Sequence, residues 1–187
     1  MSKKRSFIKQ FLKDRKMVGS VRPSSKYLMN KMLENVDFES SKVIIELGPG
    51  TGVFTLEILK RMAPDAILFV FELNQRFIRM LKKTIKDKRA VFIYDSAEKM
   101  EEYLVKHNLE KADVIISSLP LYNFPQELRE TIINNSFDVL NNSGKYIQFQ
   151  YTKQAKKMLD AKFESVSITF TPLNFPPAFV YTCYKFR

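Results

Sequence analysis

The sequence predicts an α/β sandwich: a mostly parallel sheet with helices on both faces, closed at one edge by an antiparallel hairpin. Three observations predict it. Short apolar runs rich in β-formers alternate with helical patterns along most of the chain, at a spacing that implies βαβ units. The runs Ile44-Ile45, Ile67–Phe71 and Val114–Ile116 are continuous rather than alternating, which suits strands covered on both faces. Near the end, two strand-like runs follow each other with no room for a helix between them.

Taken in order, the first strand is expected over Lys42–Leu47 and runs into a glycine-rich loop, with a helix over Phe54–Met62. A strand over Ala66–Leu73 then feeds a helix over Gln75–Lys86. The third pair is Ala90–Tyr94 and Glu98–His107, and the fourth is Ala112–Leu119 and Gln126–Leu140. The fifth pair is Lys145–Tyr151 and Lys153–Ala161. Phe163–Thr171 and Ala178–Phe186, joined by the proline-rich PLNFPP, make the closing hairpin. Ahead of all these, Phe7, Ile8, Phe11 and Leu12 recur at i, i+1, i+4 and i+5, with Val18 further along and Lys9, Lys13 and Lys16 on another side. That pattern predicts a short amphipathic helix ended by Gly19.

The chain has 187 residues, so one domain is expected, long enough to bury a core. The net charge of +11 is unevenly spread. Residues 1–31 hold ten Lys/Arg and one acid, Asp14, while the remainder holds 21 basic and 19 acidic residues and is nearly neutral. The division is therefore a basic amphipathic helical segment over 1–31 and a folded body over 32–187, with anions met by the head. No apolar run approaches the ~18 residues of a membrane span. Lysines interrupt the apolar residues of the head, so it lacks a signal-peptide core, although a transit peptide shares its basic, amphipathic character. The lone Cys183 excludes an internal disulfide and fits a reducing compartment. His107 reads as a helix-end surface residue with no cysteine or histidine partner, so no metal is expected.

The chemistry starts at IIELGPGTGVFT, residues 44–55. A glycine loop between strand and helix lets a ligand touch bare backbone and aims helix N-terminal amides at it. Dinucleotides and S-adenosylmethionine both use such a loop. Gly48, Gly50 and Gly52 depart from the dinucleotide spacing G-x-G-x-x-G, because position 53 is Val. Glu72 ends the second strand, where a carboxylate can accept from a ribose diol. Asp95 follows the third strand and can accept from an adenine amino group, with Ser96 and Ala97 along the ring. SSLPL, residues 117–121, ends the fourth. Each signal has a plain reading alone: Gly-Pro-Gly as a turn, Glu72 as a solvated helix cap, Asp95 as an N-cap. Their joint placement at successive strand ends points to a nucleoside-type cofactor.

IIELGPGTGVFTLEIL, Glu72, YDSA and SSLPL together resemble the motif series of class I S-adenosylmethionine-dependent methyltransferases, over roughly residues 40–150. The resemblance implies a Rossmann-like three-layer sandwich with a seven-stranded, mostly parallel sheet whose last strand is antiparallel. It implies that Glu46, Gly48, Pro49, Gly50, Thr51 and Gly52 hold the methionine part, Glu72 and Leu73 the ribose, and Asp95, Ser96 and Ala97 the adenine.

The acceptor is read at the fourth strand. Enzymes that methylate an adenine amine, ribosomal RNA dimethyltransferases among them, show a polar residue, then a spacer, Pro and an aromatic. Here Ser118-Leu119-Pro120 is followed by Leu121, so the stacking surface, worth ~1–3 kcal/mol per base, is missing. The sequence also shows no counterpart of those enzymes' additional helical RNA-binding domain. GSVRPSSKYL (19–28), SSLPL, QFQY (148–151) and NFPPAFVY (174–181) instead resemble bacterial phospholipid N-methyltransferases that act on phosphatidylethanolamine.

That resemblance implies N-methylation of phosphatidylethanolamine and its mono- and dimethyl forms by a cytoplasmic, peripherally membrane-associated enzyme. Residues 1–26 would meet an anionic membrane and the phospholipid headgroup, and nucleic acid is the lesser partner. Ser118 and the Leu119 carbonyl would accept from the amine. Tyr151 and Tyr27 would offer ring faces to the growing cation, although Tyr151 reads equally as an ordinary core or rim tyrosine, and Pro120 and Leu121 would line the substrate. Arg22 and Lys26 would hold the phosphate, although a solvated basic pair needs no function. An RNA adenine N6-methyltransferase and a non-catalytic S-adenosylmethionine-binding adaptor stand as alternatives.

Overall fold

The computed structural model describes residues 25–186. The amphipathic helix expected over 7–18, and Arg22, lie outside them.

The elements run α1 (Lys26–Leu33), β1 (Val43–Leu47), α2 (Val53–Arg61), β2 (Ile67–Phe71), α3 (Gln75–Thr84), β3 (Ala90–Ile93), α4 (Met100–Lys106), β4 (Ala112–Ser117), α5 (Gln126–Val139), β5 (Leu140–Gln150), α6 (Lys156–Asp160), β6 (Ser165–Thr171) and β7 (Ala178–Tyr184). Seven strands form one sheet in the order β3-β2-β1-β4-β5-β7-β6. Strands β1 to β5 pair parallel, and β7 is antiparallel to both its neighbours. The expected fold class is therefore the observed one. The hairpin closes the sheet edge, with β7 lying between β5 and β6.

The continuous apolar runs are explained by two cores. Successive strand residues point to opposite faces. Ile45, Leu47, Phe69, Phe71 and Ile115 pack with Met100, Leu128, Ile132 and Leu159 on one face. Ile44, Leu68, Val70, Val114 and Ile116 pack with Leu28, Met32, Phe54, Ile58 and Leu81 on the other. His107 ends α4 half-buried rather than on the surface: its ring meets Phe69 edge-on at 4.9 Å and Nδ1 lies 2.8 Å from the Tyr103 carbonyl.

Helix α1 has no counterpart among the expected elements of the body. Ser25 caps it, accepting from the Leu28 amide at 3.1 Å, and Leu28, Met29, Met32 and Leu33 bury one stripe against the sheet. The boundary expected between residues 31 and 32 falls inside this helix. Its packing makes a test: Met32→Ala should cost about 2–5 kcal/mol in urea unfolding, the range for a truncated core side chain, if α1 folds with the body.

Candidate functional site

The site lies where β1, β2 and β4 end together. Leu47 pairs with Phe71 on one side and Ser117 on the other, so three chain turns leave the sheet side by side. The Gly48 amide donates to the Phe71 carbonyl at 2.9 Å, and the Ser118 amide donates to the Leu47 carbonyl at 2.8 Å. These bonds fix the glycine loop between the other two. Gly50 holds φ +56°, and a Cβ placed there would meet nothing within 4 Å among the described residues, so its backbone borders open space. Gly52 caps α2 at φ +86°, where a Cβ would lie 2.4 Å from Leu81 Cδ2. Positive φ favours glycine at both positions, and at Gly52 the packing demands it as well.

Two acids flank the loop. Glu72 is buried, and its carboxylate accepts from the Gly50 amide at 3.3 Å and the Asn74 amide at 2.8 Å. It thereby ties the glycine loop to the start of α3. Glu46 is fully buried, and Thr55 of α2 donates to its Oε2 at 2.6 Å. Its Oε1 has no partner among the described residues. Loss of water raises the Glu46 carboxyl most, the Thr55 hydroxyl opposes that, and the Glu72 charge adds to the rise; the group is pushed up to about 8. Strand alternation puts Glu46 on the face of Ile44, and Glu72 on the face of Val70, the same face.

At the end of β3, Asp95 accepts from the Ser96 amide at 2.8 Å and from the Tyr103 hydroxyl at 3.2 Å. Ser96 caps the turn that follows, so the capping role considered for Asp95 belongs to its neighbour. Ala97 is buried in the core. Leu73 and Pro120 are half-buried, Pro49 is buried, and Thr51 is exposed at the loop tip.

SSLPL divides sharply. The Ser118 hydroxyl is buried without a partner among the described residues. The Leu119 carbonyl already takes three N–H donors: Gln148 Nε2 at 2.9 Å, Gln150 Nε2 at 3.2 Å and the Leu121 amide at 2.9 Å. It has no lone pair left for an incoming amine, contrary to expectation. The Leu119 side chain instead packs on the glycine loop, its Cδ2 3.0 Å from where a Gly48 Cβ would stand. Leu121, expected beside the substrate, is wholly buried in the core. Tyr122 is turned away, with its hydroxyl on the Gln154 carbonyl at 3.0 Å and its ring under Arg129 at 4.8 Å. Tyr151, one residue beyond β5, and Tyr27, near the start of α1, both expose their rings.

The profile described as "Methyltransferase small domain" matches residues 18–175. The chain belongs to that family. An ornithine lipid N-methyltransferase from Singulisphaera acidiphila is 31% identical over 180 residues, covering 95% of this chain and 93% of that protein. A ribosomal RNA small subunit methyltransferase A from Borreliella burgdorferi is 28% identical over 84% of this chain, which spans 53% of that protein's length. Among solved structures, the N-methyltransferase NodS from Bradyrhizobium japonicum, in complex with S-adenosyl-L-homocysteine, superposes with a TM-score of 0.65 at 14% identity. The overlap covers 84% of this chain and 83% of NodS.

This is an S-adenosylmethionine-dependent methyltransferase, and its residues fit that cofactor. The orphaned Glu46 oxygen and the open space at Gly50 suit an ammonium-bearing tail against bare backbone. Glu72 has the geometry of a diol acceptor anchored by amides. Sequence reasoning missed Thr55, Tyr103, Gln148 and Gln150. For the glutamines the signal was present: two polar residues at i and i+2 in QFQY, at the end of a strand and both buried.

The two acids can be tested separately. Glu72→Ala removes a charge-assisted acceptor, worth about 1.5–3 kcal/mol per bond, so calorimetry should find S-adenosylhomocysteine binding roughly 10- to 100-fold weaker. For Glu46, the folded chain keeps between pH 4.5 and about 8 a proton that the unfolded chain gives up. Its contribution to stability is therefore complete below pH 4.5 and is lost as pH rises through about 8. Melting curves should show the wild type losing ground to Glu46→Gln across that window.

Proposed function

We propose that this methyltransferase acts on the amine of a membrane-lipid headgroup, phosphatidylethanolamine and its mono- and dimethyl forms, at the bilayer surface. The observation that carries this reading is the unsatisfied acceptor at the end of β4. Among the described residues Ser118 Oγ is buried and unpartnered, the adjacent Leu119 carbonyl is filled, and Leu121 lies in the core. One acceptor and no ring from this motif suit a tetrahedral alkylamine. A planar nucleobase amine asks for two in-plane acceptors and a stacking face. The relative from Singulisphaera acidiphila, an ornithine lipid N-methyltransferase by name, supports the same substrate class.

When bound, S-adenosylmethionine supplies an electrophilic methyl group. The chain's own task is to present a neutral amine in line and without water, so proximity and orientation provide most of the rate. Ser118 Oγ accepts one N–H and so aims the nitrogen lone pair away from β4. Leu119 and Pro120 wall that side, with the loop held by Gln148 and Gln150. Tyr151 offers its ring face to the cation that forms. The headgroup ammonium loses its proton to solvent before transfer, as no side chain among the described residues of this rim is placed as a base.

The test is the fate of label from methyl-labelled S-adenosylmethionine, given phosphatidylethanolamine, ornithine lipid or ribosomal RNA in parallel. Label should enter phosphatidylethanolamine, and Ser118→Ala should slow that transfer roughly 10-fold or more, the size of one lost hydrogen bond to a buried partner. Label in RNA alone would overturn the lipid reading in favour of an adenine methyltransferase, for which the ribosomal RNA relatives speak.

A further inference from the structure

We propose that the β6–β7 loop, Pro172–Pro177, is a wedge that enters an anionic lipid bilayer and sets the open rim of the sheet against it. The inference rests on the lipid reading above and adds a surface to it.

Thr171 pairs with Ala178, so the loop closes the hairpin there. Gln150 pairs with Phe179, so the start of β7 lies beside the end of β5. The loop therefore stands on the same rim as Ser118 and next to Tyr151. A lipid headgroup reaches Ser118 only if this rim faces the bilayer.

Leu173 is 62% and Phe175 is 80% exposed, while Asn174 between them is buried. Asn174 accepts from the Ser25 amide at 3.0 Å and donates to the Pro176 carbonyl at 2.8 Å. The middle residue thus anchors the loop to the start of α1, and its neighbours are held outward. Pro172, Pro176 and Pro177 bring no amide N–H, and Asn174 satisfies the Pro176 carbonyl. Few backbone donors would be stranded in an apolar phase, which is what a lipid-inserting turn requires and a water-facing loop does not.

Charge decides the lipid. Residues 1–24, which join the body at Ser25 beside this loop, carry eight Lys/Arg and one acid. Lys26 is exposed on α1, and Lys153 lies 5.2 Å from the Phe179 ring just past β5. An apolar tip with Lys26 and Lys153 near it, on a chain whose first 24 residues are strongly basic in sequence, matches an anionic leaflet, where basic residues and buried apolar area add.

The chain contains no tryptophan, so Phe175→Trp is a clean reporter. With vesicles of phosphatidylglycerol and phosphatidylethanolamine, the indole emission of that variant should shift to the blue and be quenched by brominated acyl chains. Leu173→Ser/Phe175→Ser should retain its melting temperature and lose about 10-fold or more in vesicle sedimentation. Its turnover on the same lipid dispersed in detergent should be unchanged. The wedge is refuted by emission that vesicles leave unmoved, by undiminished sedimentation of the double variant, or by a blue shift produced instead by RNA or by raising the protein concentration. Failure of the wild type to methylate lipid in detergent is a separate result that removes the lipid reading itself.

Discussion

Two carboxyl groups buried on one side of a parallel sheet are the constraint around which the site is arranged. Glu46 on β1 and Glu72 just past β2 are close enough that the Glu72 charge adds to the rise of the Glu46 carboxyl. Burial strips water from both, and the protein answers only in part. Glu72 gathers amides from the loops on either side, while Glu46 has one hydroxyl and, among the described residues, one oxygen with nothing. A fold selected for stability alone would place apolar residues here. The arrangement makes sense for a ligand bearing positive charge and a diol, which completes what the chain leaves open.

Adjacent to this half-satisfied pocket lies a second one of opposite logic. Around SSLPL the protein provides more donors than it needs: two glutamine side chains and an amide converge on a single carbonyl. Saturation there stiffens the loop and leaves Ser118 Oγ, among the described residues, as its buried polar atom without a partner. The side at Glu46 is thus left incomplete, and the turn at Leu119 is held rigid.

Most of the fold was legible because it depends on local pattern. Ile67–Phe71 and Val114–Ile116 announced strands buried on both faces, and GPGTG announced the turn between β1 and α2. Glu72 was legible by its place at the end of the second strand. What escaped was settled by contacts far apart in sequence. Nothing near residue 119 shows that its carbonyl is filled, since the filling side chains come from residues 148 and 150 on a different strand. Leu121 reads as part of a motif, yet the turn after Pro120 rotates it into the core. Helix α1 was hidden by the basic residues around it, although Leu28, Met29, Met32 and Leu33 already had helical spacing.

The place of β7 inside the sheet has a consequence for how the molecule is made. A chain leaving the ribosome delivers β7 after every other strand, yet β7 is the piece that joins β6 to β5. Until it emerges, β5 ends the nascent sheet as a bare edge and β6 has no ladder to join. Gln150 and the rim beyond it then have no neighbour on that side. The rim at Gln150, which pairs with Phe179, therefore gains its flank only once β7 has been synthesised.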